Sequence, residues 1–192
     1  MPRRNAFYSP GGYYHVYNRG ASRAPIFFTP ANYEYCLRLV KQNHRKYGTS
    51  IIAYCLMPNH CHFLFRQETE TPLSKLINVV FSAYVQAVNI QEERTGTLFE
   101  GRFRHVQVER DEYLTWLCRY IHLNPVKAGL VSRPEDWPYS NYQDWIGGRA
   151  GTLKDGDFIR YWFGDAERYR RFVQEEPDEA TVREKLQRYV WD

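Results

Sequence analysis

Two histidines one residue apart, His60-Cys61-His62, are the side chains of this chain best suited to chemistry. They lie in the run Tyr54-Cys55-Leu56-Met57-Pro58-Asn59-His60-Cys61-His62-Phe63-Leu64-Phe65, where apolar β-formers flank them on both sides and predict a strand. Side chains alternate faces along a strand, so His60 and His62 share a face and Cys61 points away. Paired imidazoles are poor core material. They are a natural half of a divalent-metal site.

The other half is available in Arg119-Tyr120-Ile121-His122-Leu123-Asn124-Pro125. Asp111-Glu112 opens this segment as an acidic helix start, and Leu114, Leu117, Cys118, Ile121 and Leu123 follow a mostly helical period. On a helix Tyr120 and Asn124 stack one turn apart, so a phenol nucleophile and an amide oxygen ligand approach one metal together. Tyr84 and Tyr113 are rival nucleophiles, but Val88 and Leu117 stand four residues after them, where Tyr120 has an amide. Asn124 precedes Pro125, and residues before proline avoid helical geometry; its plain reading is a helix stop. His122 lies about 200° round the helix from Tyr120 and is expected to face elsewhere. His15 is expected to be structural, with substrate or metal contact as its alternative role.

The elements that must position these groups are legible as an alternating series. Residues 13–18 predict a first strand, and Thr29 or Asn32 caps a helix running to about Tyr47 and ended by Gly48. Residues 50–57 and 60–66 predict two strands joined at Pro58-Asn59. A long helix from about Leu73 to Glu93 is stopped by Gly96, residues 105–109 predict a fourth strand, and the tyrosine helix follows. The order β-α-β-β-α-β-α predicts an α+β fold, a ferredoxin-like split β-α-β with a four- to five-stranded antiparallel sheet. After Trp137 a glycine-rich loop at 147–151 and two short helices, 165–175 and 178–190, predict a C-terminal helical extension. The expected division is 1–133 for the catalytic domain and 134–192 for the extension. The stripes Tyr169, Phe172, Val173 and Val182, Leu186, Tyr189, Val190 are expected to be packing surfaces, covering the core or steadying a bound substrate.

Several blocks in this order carry a resemblance. They are His60-Cys61-His62, Tyr14-His15-Val16-Tyr17-Asn18-Arg19-Gly20, Gly96-Thr97-Leu98-Phe99-Glu100-Gly101-Arg102-Phe103, residues 120–129 (YIHLNPVKAG) and Asp136-Trp137-Pro138-Tyr139-Ser140. The chain resembles the REP-associated tyrosine transposases, within the HUH single-strand DNA transposases, over roughly its first three quarters. HUH denotes His, a hydrophobic residue, His; cysteine is a mild hydrophobe, so Cys61 is a small departure. The resemblance implies Tyr120 as nucleophile, a 5′-phosphotyrosine with a free 3′-hydroxyl, and hairpin-forming palindromic repeats as substrate. It implies Mg²⁺ or Mn²⁺ held by His60, His62 and Asn124. It also implies the HUH strand at the centre of the sheet with the tyrosine helix packed across it.

Charge is distributed as a phosphate-binding protein requires. Residues 1–133 hold 17 Lys and Arg against 9 Asp and Glu, and residues 134–192 hold 9 against 13. Arg102, Phe103 and Arg104 interleave cation and ring, which suits unpaired strands whose bases stack. Arg19, Arg102, Phe103, Arg104, Arg119 and Lys127 are the expected DNA contacts, with single-stranded or hairpin DNA as partner to a monomer or homodimer. Cys36, Cys55, Cys61 and Cys118 show no CxxC spacing, and no signal-peptide pattern opens the chain. No apolar stretch is expected to approach the roughly 18–20 residues of a membrane span. A reduced cytoplasmic protein is the expectation. Two other function classes stay open: a DNA-hairpin-binding regulator that does not cut, and a metal-dependent hydrolase using His60 and His62.

Overall fold

The computed structural model describes residues 8–177 and 179–187. Its sheet is built from β1 (Tyr13–Arg19), β2 (Thr49–Met57), β3 (His60–Gln67) and β4 (Arg104–Val108), in the order β2-β3-β1-β4. The paired strands are all antiparallel. Helices α1 (Pro30–Asn43), α2 (Leu73–Gln91) and α3 (Asp111–Lys127) complete the β-α-β-β-α-β-α order read from the sequence. The split β-α-β arrangement is therefore present, with the His-Cys-His strand β3 between β2 and β1.

Strand alternation sorts β3 onto two cores. Cys61, Phe63 and Phe65 pack with Tyr14 and Val16 of β1 against α1 and α2, burying Val40, Leu76, Val80 and Tyr84. Leu64, with Cys55 and Met57 of β2, packs under Leu114, Leu117, Cys118 and Ile121 of α3. Each fully buried side chain of this size stabilises by roughly 1.5–3 kcal/mol. All four cysteines are buried free thiols.

α2 corrects one expectation. It is 19 residues long and, by length and composition, apolar enough to cross a membrane. Its stripe Leu73, Leu76, Ile77, Val80, Phe81, Tyr84 and Val88 is buried in the first core, as in the core helix of a folded domain.

The tail holds more helices than the sequence pattern predicts. α4 (Tyr142–Trp145) and α5 (Gly156–Phe163) precede α6 (Ala166–Gln174) and α7 (Glu179–Leu186). The expected stripe residues Tyr189 and Val190 lie outside the described residues. Before α4 the chain runs along the free edge of β2. Leu56 N donates to Tyr139 O at 2.9 Å, and Trp137 Nε1 donates to Leu56 O at 3.0 Å. This covers a sheet edge that would otherwise offer unpaired backbone groups. Asn141 is the hub: its Oδ1 accepts from Tyr54 N at 2.8 Å, and its Nδ2 lies 2.9 Å from Ile52 O and 3.1 Å from Leu153 O.

Candidate active site

His60 opens β3 straight after the two-residue turn Pro58-Asn59. The turn is tied down on its outer side. Pro58 O accepts from Ile26 N at 2.8 Å and Phe27 N at 3.1 Å, and Asn59 O accepts from Gly20 N at 2.8 Å. Gly20 is required there, because a Cβ would lie 1.9 Å from Ala24 O. Asn59 then holds the first imidazole, its Oδ1 2.7 Å from His60 Nδ1, while its Nδ2 donates to Arg23 O at 3.2 Å. In the neutral ring an oxygen acceptor at Nδ1 favours the proton there and leaves the lone pair on Nε2, the nitrogen turned toward Asn124.

His62 lies two residues on, its ring centroid 5.0 Å from that of His60. Its Nδ1 sits 3.0 Å from Nε2 of His15, a fully buried residue of β1. The two rings stack at 5.1 Å with an 18° interplanar angle. Burial lowers the pKa of His60, a side-chain hydrogen bond with Asn124 opposes this, and the nearby Arg19 adds to the lowering. His62 falls well below the usual imidazole range, first through burial and then through proximity to His15 and His60. Both shifts favour the neutral imidazole, the form a metal ligand needs.

α3 supplies the opposite wall. Tyr120 is 7% exposed, with its ring 5.5 Å from that of His62 and nearly perpendicular to it. Asn124 is buried one turn later. The expected helix stop at Asn124 is corrected: α3 runs through Pro125 to Lys127, with Ala128 N bonded to Asn124 O at 3.0 Å. Asn124 Nδ2 donates to Tyr120 O at 2.9 Å, which leaves its Oδ1 as the side chain's acceptor. Lys127, a further turn on, sets its ammonium 5.3 Å from the Tyr120 ring centroid.

His60, His62, Tyr120 and Asn124 line one cavity of about 260 Å³, together with Arg19, Arg23 and Asn59. Among the described residues no three His, Cys, Asp or Glu side chains form a metal-sized group, so any ion here relies on two imidazoles and an amide oxygen. That neutral mixed N/O set fits a weakly held, exchangeable divalent cation, with positions open to water or a phosphate oxygen. Cys61 lies in the other core, as strand alternation requires.

The remaining expected contacts divide. Arg19 is at the cavity, its Nε 2.6 Å from Glu100 Oε2. Arg102 and Phe103 line a second cavity of about 420 Å³ on α2, beside Phe81 and Phe99. Arg104 is exposed on β4, paired with Tyr17. Arg119 is a correction. It is buried, with Nε donating to Phe172 O at 3.0 Å and a second bond to Glu175 O, so it secures the tail and does not face the cavity. His122 faces away as expected, 2.5 Å from Tyr169 Oη and 2.9 Å from Asn141 Oδ1. The rival Tyr84 donates to Ile26 O at 2.6 Å inside the first core.

Sequence reading missed Arg23 and Asn59 as cavity residues. Asn59 had a signal, since a turn residue adjoining His60 is bound to reach its ring. Arg23 had none; its placement depends on a left-handed backbone, φ 61°, in a short 3₁₀ segment.

The sequence profile of the family described as "Transposase IS200 like" matches residues 9–124. A Haemophilus influenzae protein assigned as a REP-associated tyrosine transposase is 27% identical over 137 residues, spanning 61% of this chain and 77% of that protein. The solved structure of a REP-associated tyrosine transposase bound to a REP hairpin superposes with a TM-score of 0.65 at 20% identity. It covers 81% of this chain and 94% of the other, and shows the shared fold.

Proposed function

The chain belongs to the IS200-like transposase family, and on that premise we propose that it cuts and rejoins single-stranded DNA at palindromic repeat hairpins through a phosphotyrosine at Tyr120. The observation that carries this reading is the convergence of Tyr120, Asn124, His60 and His62 on one cavity, from a helix and a strand far apart in sequence. Hairpin DNA as partner is supported by the relative solved with a REP hairpin.

In the proposed step the Tyr120 phenolic oxygen attacks a backbone phosphorus. The bond to the 3′-oxygen breaks, and that oxygen takes up a proton in place of the one the phenol gives up; the upstream segment leaves with a free 3′-hydroxyl, while the downstream segment stays joined to Tyr120 through its 5′-phosphate. The reverse attack by a 3′-hydroxyl reseals DNA without ATP, because the phosphotyrosine conserves the bond. A tyrosine with a pKa near 10 is mostly protonated at neutral pH, so positive charge at the site favours the attacking phenolate. Lys127 over the ring supplies part of that charge, and Arg19 and Arg23 at the cavity are placed to neutralise phosphate oxygens. Asn124 is oriented by its bond to Tyr120 O, and His60 by Asn59. His60, His62 and Asn124 are the residues that would hold Mg²⁺ or Mn²⁺, and such an ion supplies charge stabilisation to the phosphoryl centre.

Wild-type protein incubated with Mn²⁺ or Mg²⁺ and a hairpin repeat carrying a single-stranded flank is expected to yield an adduct that survives denaturing electrophoresis and maps by mass spectrometry to Tyr120. A hydrolase would cleave without an adduct, and a binding regulator would shift the DNA without cutting it.

A further inference from the structure

We propose that His15 is a positioning residue for the metal site: its Nε2 accepts the proton on His62 Nδ1 and so fixes the His62 tautomer whose Nε2 is free to bind a cation. This rests on reading His62 as a ligand.

The 3.0 Å separation between the two ring nitrogens requires one proton between them. Only two neutral arrangements exist. In one, His15 Nε2 donates to His62 Nδ1; the His62 proton then sits on Nε2 and blocks ligation. In the other, His62 Nδ1 donates to His15 Nε2, the proton of His15 sits on its own Nδ1, and His62 Nε2 keeps its lone pair. Only the second is compatible with a ligand role.

Three features hold His15 to this task. It is fully buried, so bulk water does not compete with it as acceptor. Its ring packs against both Tyr17, at 4.8 Å, and His62, at 5.1 Å, which restricts rotation. Its Nδ1 has no hydrogen-bond partner among the described residues, so packing alone does not explain an imidazole here. A leucine or phenylalanine would fill the space without a buried unmatched nitrogen.

Metal-bound histidines generally donate their second N–H to a carboxylate, a backbone carbonyl or water. A neutral imidazole in that place adds no negative charge. It orients the ligand while leaving the cation loosely held and available to a phosphate.

The test is Mn²⁺ binding by the full chain without DNA, read from the electron paramagnetic resonance signal of free Mn²⁺. Wild type, His15→Phe, His15→Gln and His62→Ala are compared, with circular dichroism as the fold control and hairpin binding in EDTA as the control for the DNA surface. His15→Phe is expected to weaken Mn²⁺ binding by about 10–100-fold with DNA binding in EDTA unchanged. His15→Gln, whose amide oxygen accepts from His62 Nδ1, is expected to recover most of the loss. Wild-type Mn²⁺ affinity in His15→Phe, with the loss confined to His62→Ala, would overturn the positioning role and leave the metal site standing. Equal binding by wild type and His62→Ala would remove the site itself and this proposal with it. Should His15→Phe not fold, ¹⁵N histidine spectra of the wild type with saturating Mg²⁺ decide: a proton on His62 Nδ1 supports the proposal, and one on Nε2 refutes it.

Discussion

Asn124 Nδ2 donates to the carbonyl oxygen of Tyr120 at 2.9 Å, one helical turn back. One side chain thereby fixes its own oxygen and stays bonded to the residue that carries the phenol. The two groups are placed as a unit, and disturbing Asn124 disturbs both. Asn124→Ala is expected to lower strand cleavage by at least about 100-fold while costing only about 0.5–1.5 kcal/mol of stability. Cleavage kinetics beside urea denaturation check the split.

Tyr120→Phe removes one oxygen and keeps the ring between His62 and Lys127. Mn²⁺ affinity and hairpin binding are expected to remain within about twofold of wild type, where single-contact losses outside the charged groups leave phosphate binding intact. The covalent adduct is expected to disappear. An adduct persisting in Tyr120→Phe, or mapping to Tyr113, would relocate the nucleophile.

Arg19 and Arg119 are expected to separate cleanly. Arg119→Met loses bonds from a charged donor to Phe172 O and Glu175 O and is expected to cost roughly 1.5–3 kcal/mol of stability. Its DNA affinity is expected to be unchanged. Arg19→Ala is expected to leave stability nearly unaltered and to reduce the salt slope of DNA binding by about one. Titrations at several salt concentrations test both, and an equal salt slope in the two variants would contradict the assignment.

Acid is expected to loosen the tail. His122 is fully buried, and burial pushes its pKa down from 6.5 to about 4, opposed by its bond to Asn141. The unfolded chain therefore binds a proton that the folded chain refuses. This contribution to stability is complete above pH 6.5 and is lost as pH falls towards 4, amounting to about 3 kcal/mol. His122→Gln is expected to flatten that part of the stability curve. Urea midpoints at pH 7, 5.5 and 4.5 measure it, and parallel curves for wild type and variant would refute the linkage.

Substrate form follows from the second cavity, where Phe103 and Arg102 stand beside Phe81 and Phe99. Rings in that setting can stack on bases only when the bases are unpaired. A hairpin with a single-stranded flank is expected to bind at least about tenfold more tightly than a blunt duplex of matched length at equal salt. Equal affinities would count against single-strand recognition.

Local periodicity made much of this legible. The common face of His60 and His62 follows from a repeat of two that no tertiary contact alters, and the element order followed from apolar patterns and their stops. Asn124 was harder. The rule for residues before proline predicts a break, yet Pro125 lies so near the helix end that few backbone bonds are at stake, and bonds from Ala128 N and Leu130 N carry the chain past it. Arg119 shows another limit: a sequence displays a charge but not the direction of its side chain. Asn141 shows a third. A lone asparagine outside any repeat gives no warning that it joins Tyr54, Ile52, Leu153 and His122.

α3 is gripped from behind along much of its length. Lys185 Nζ reaches Glu112 at 3.0 Å, Arg119 holds carbonyls at the end of α6, and His122 is clasped by Tyr169 and Asn141. Tyr120, Asn124 and Lys127 project from a different face of the helix. The helix is a mooring post, not a swinging arm. In the proposed reaction a strand end tied to Tyr120 would stay where it was cut, and a new partner strand would have to come alongside to be joined. Choreography in such a reaction falls to the nucleic acid.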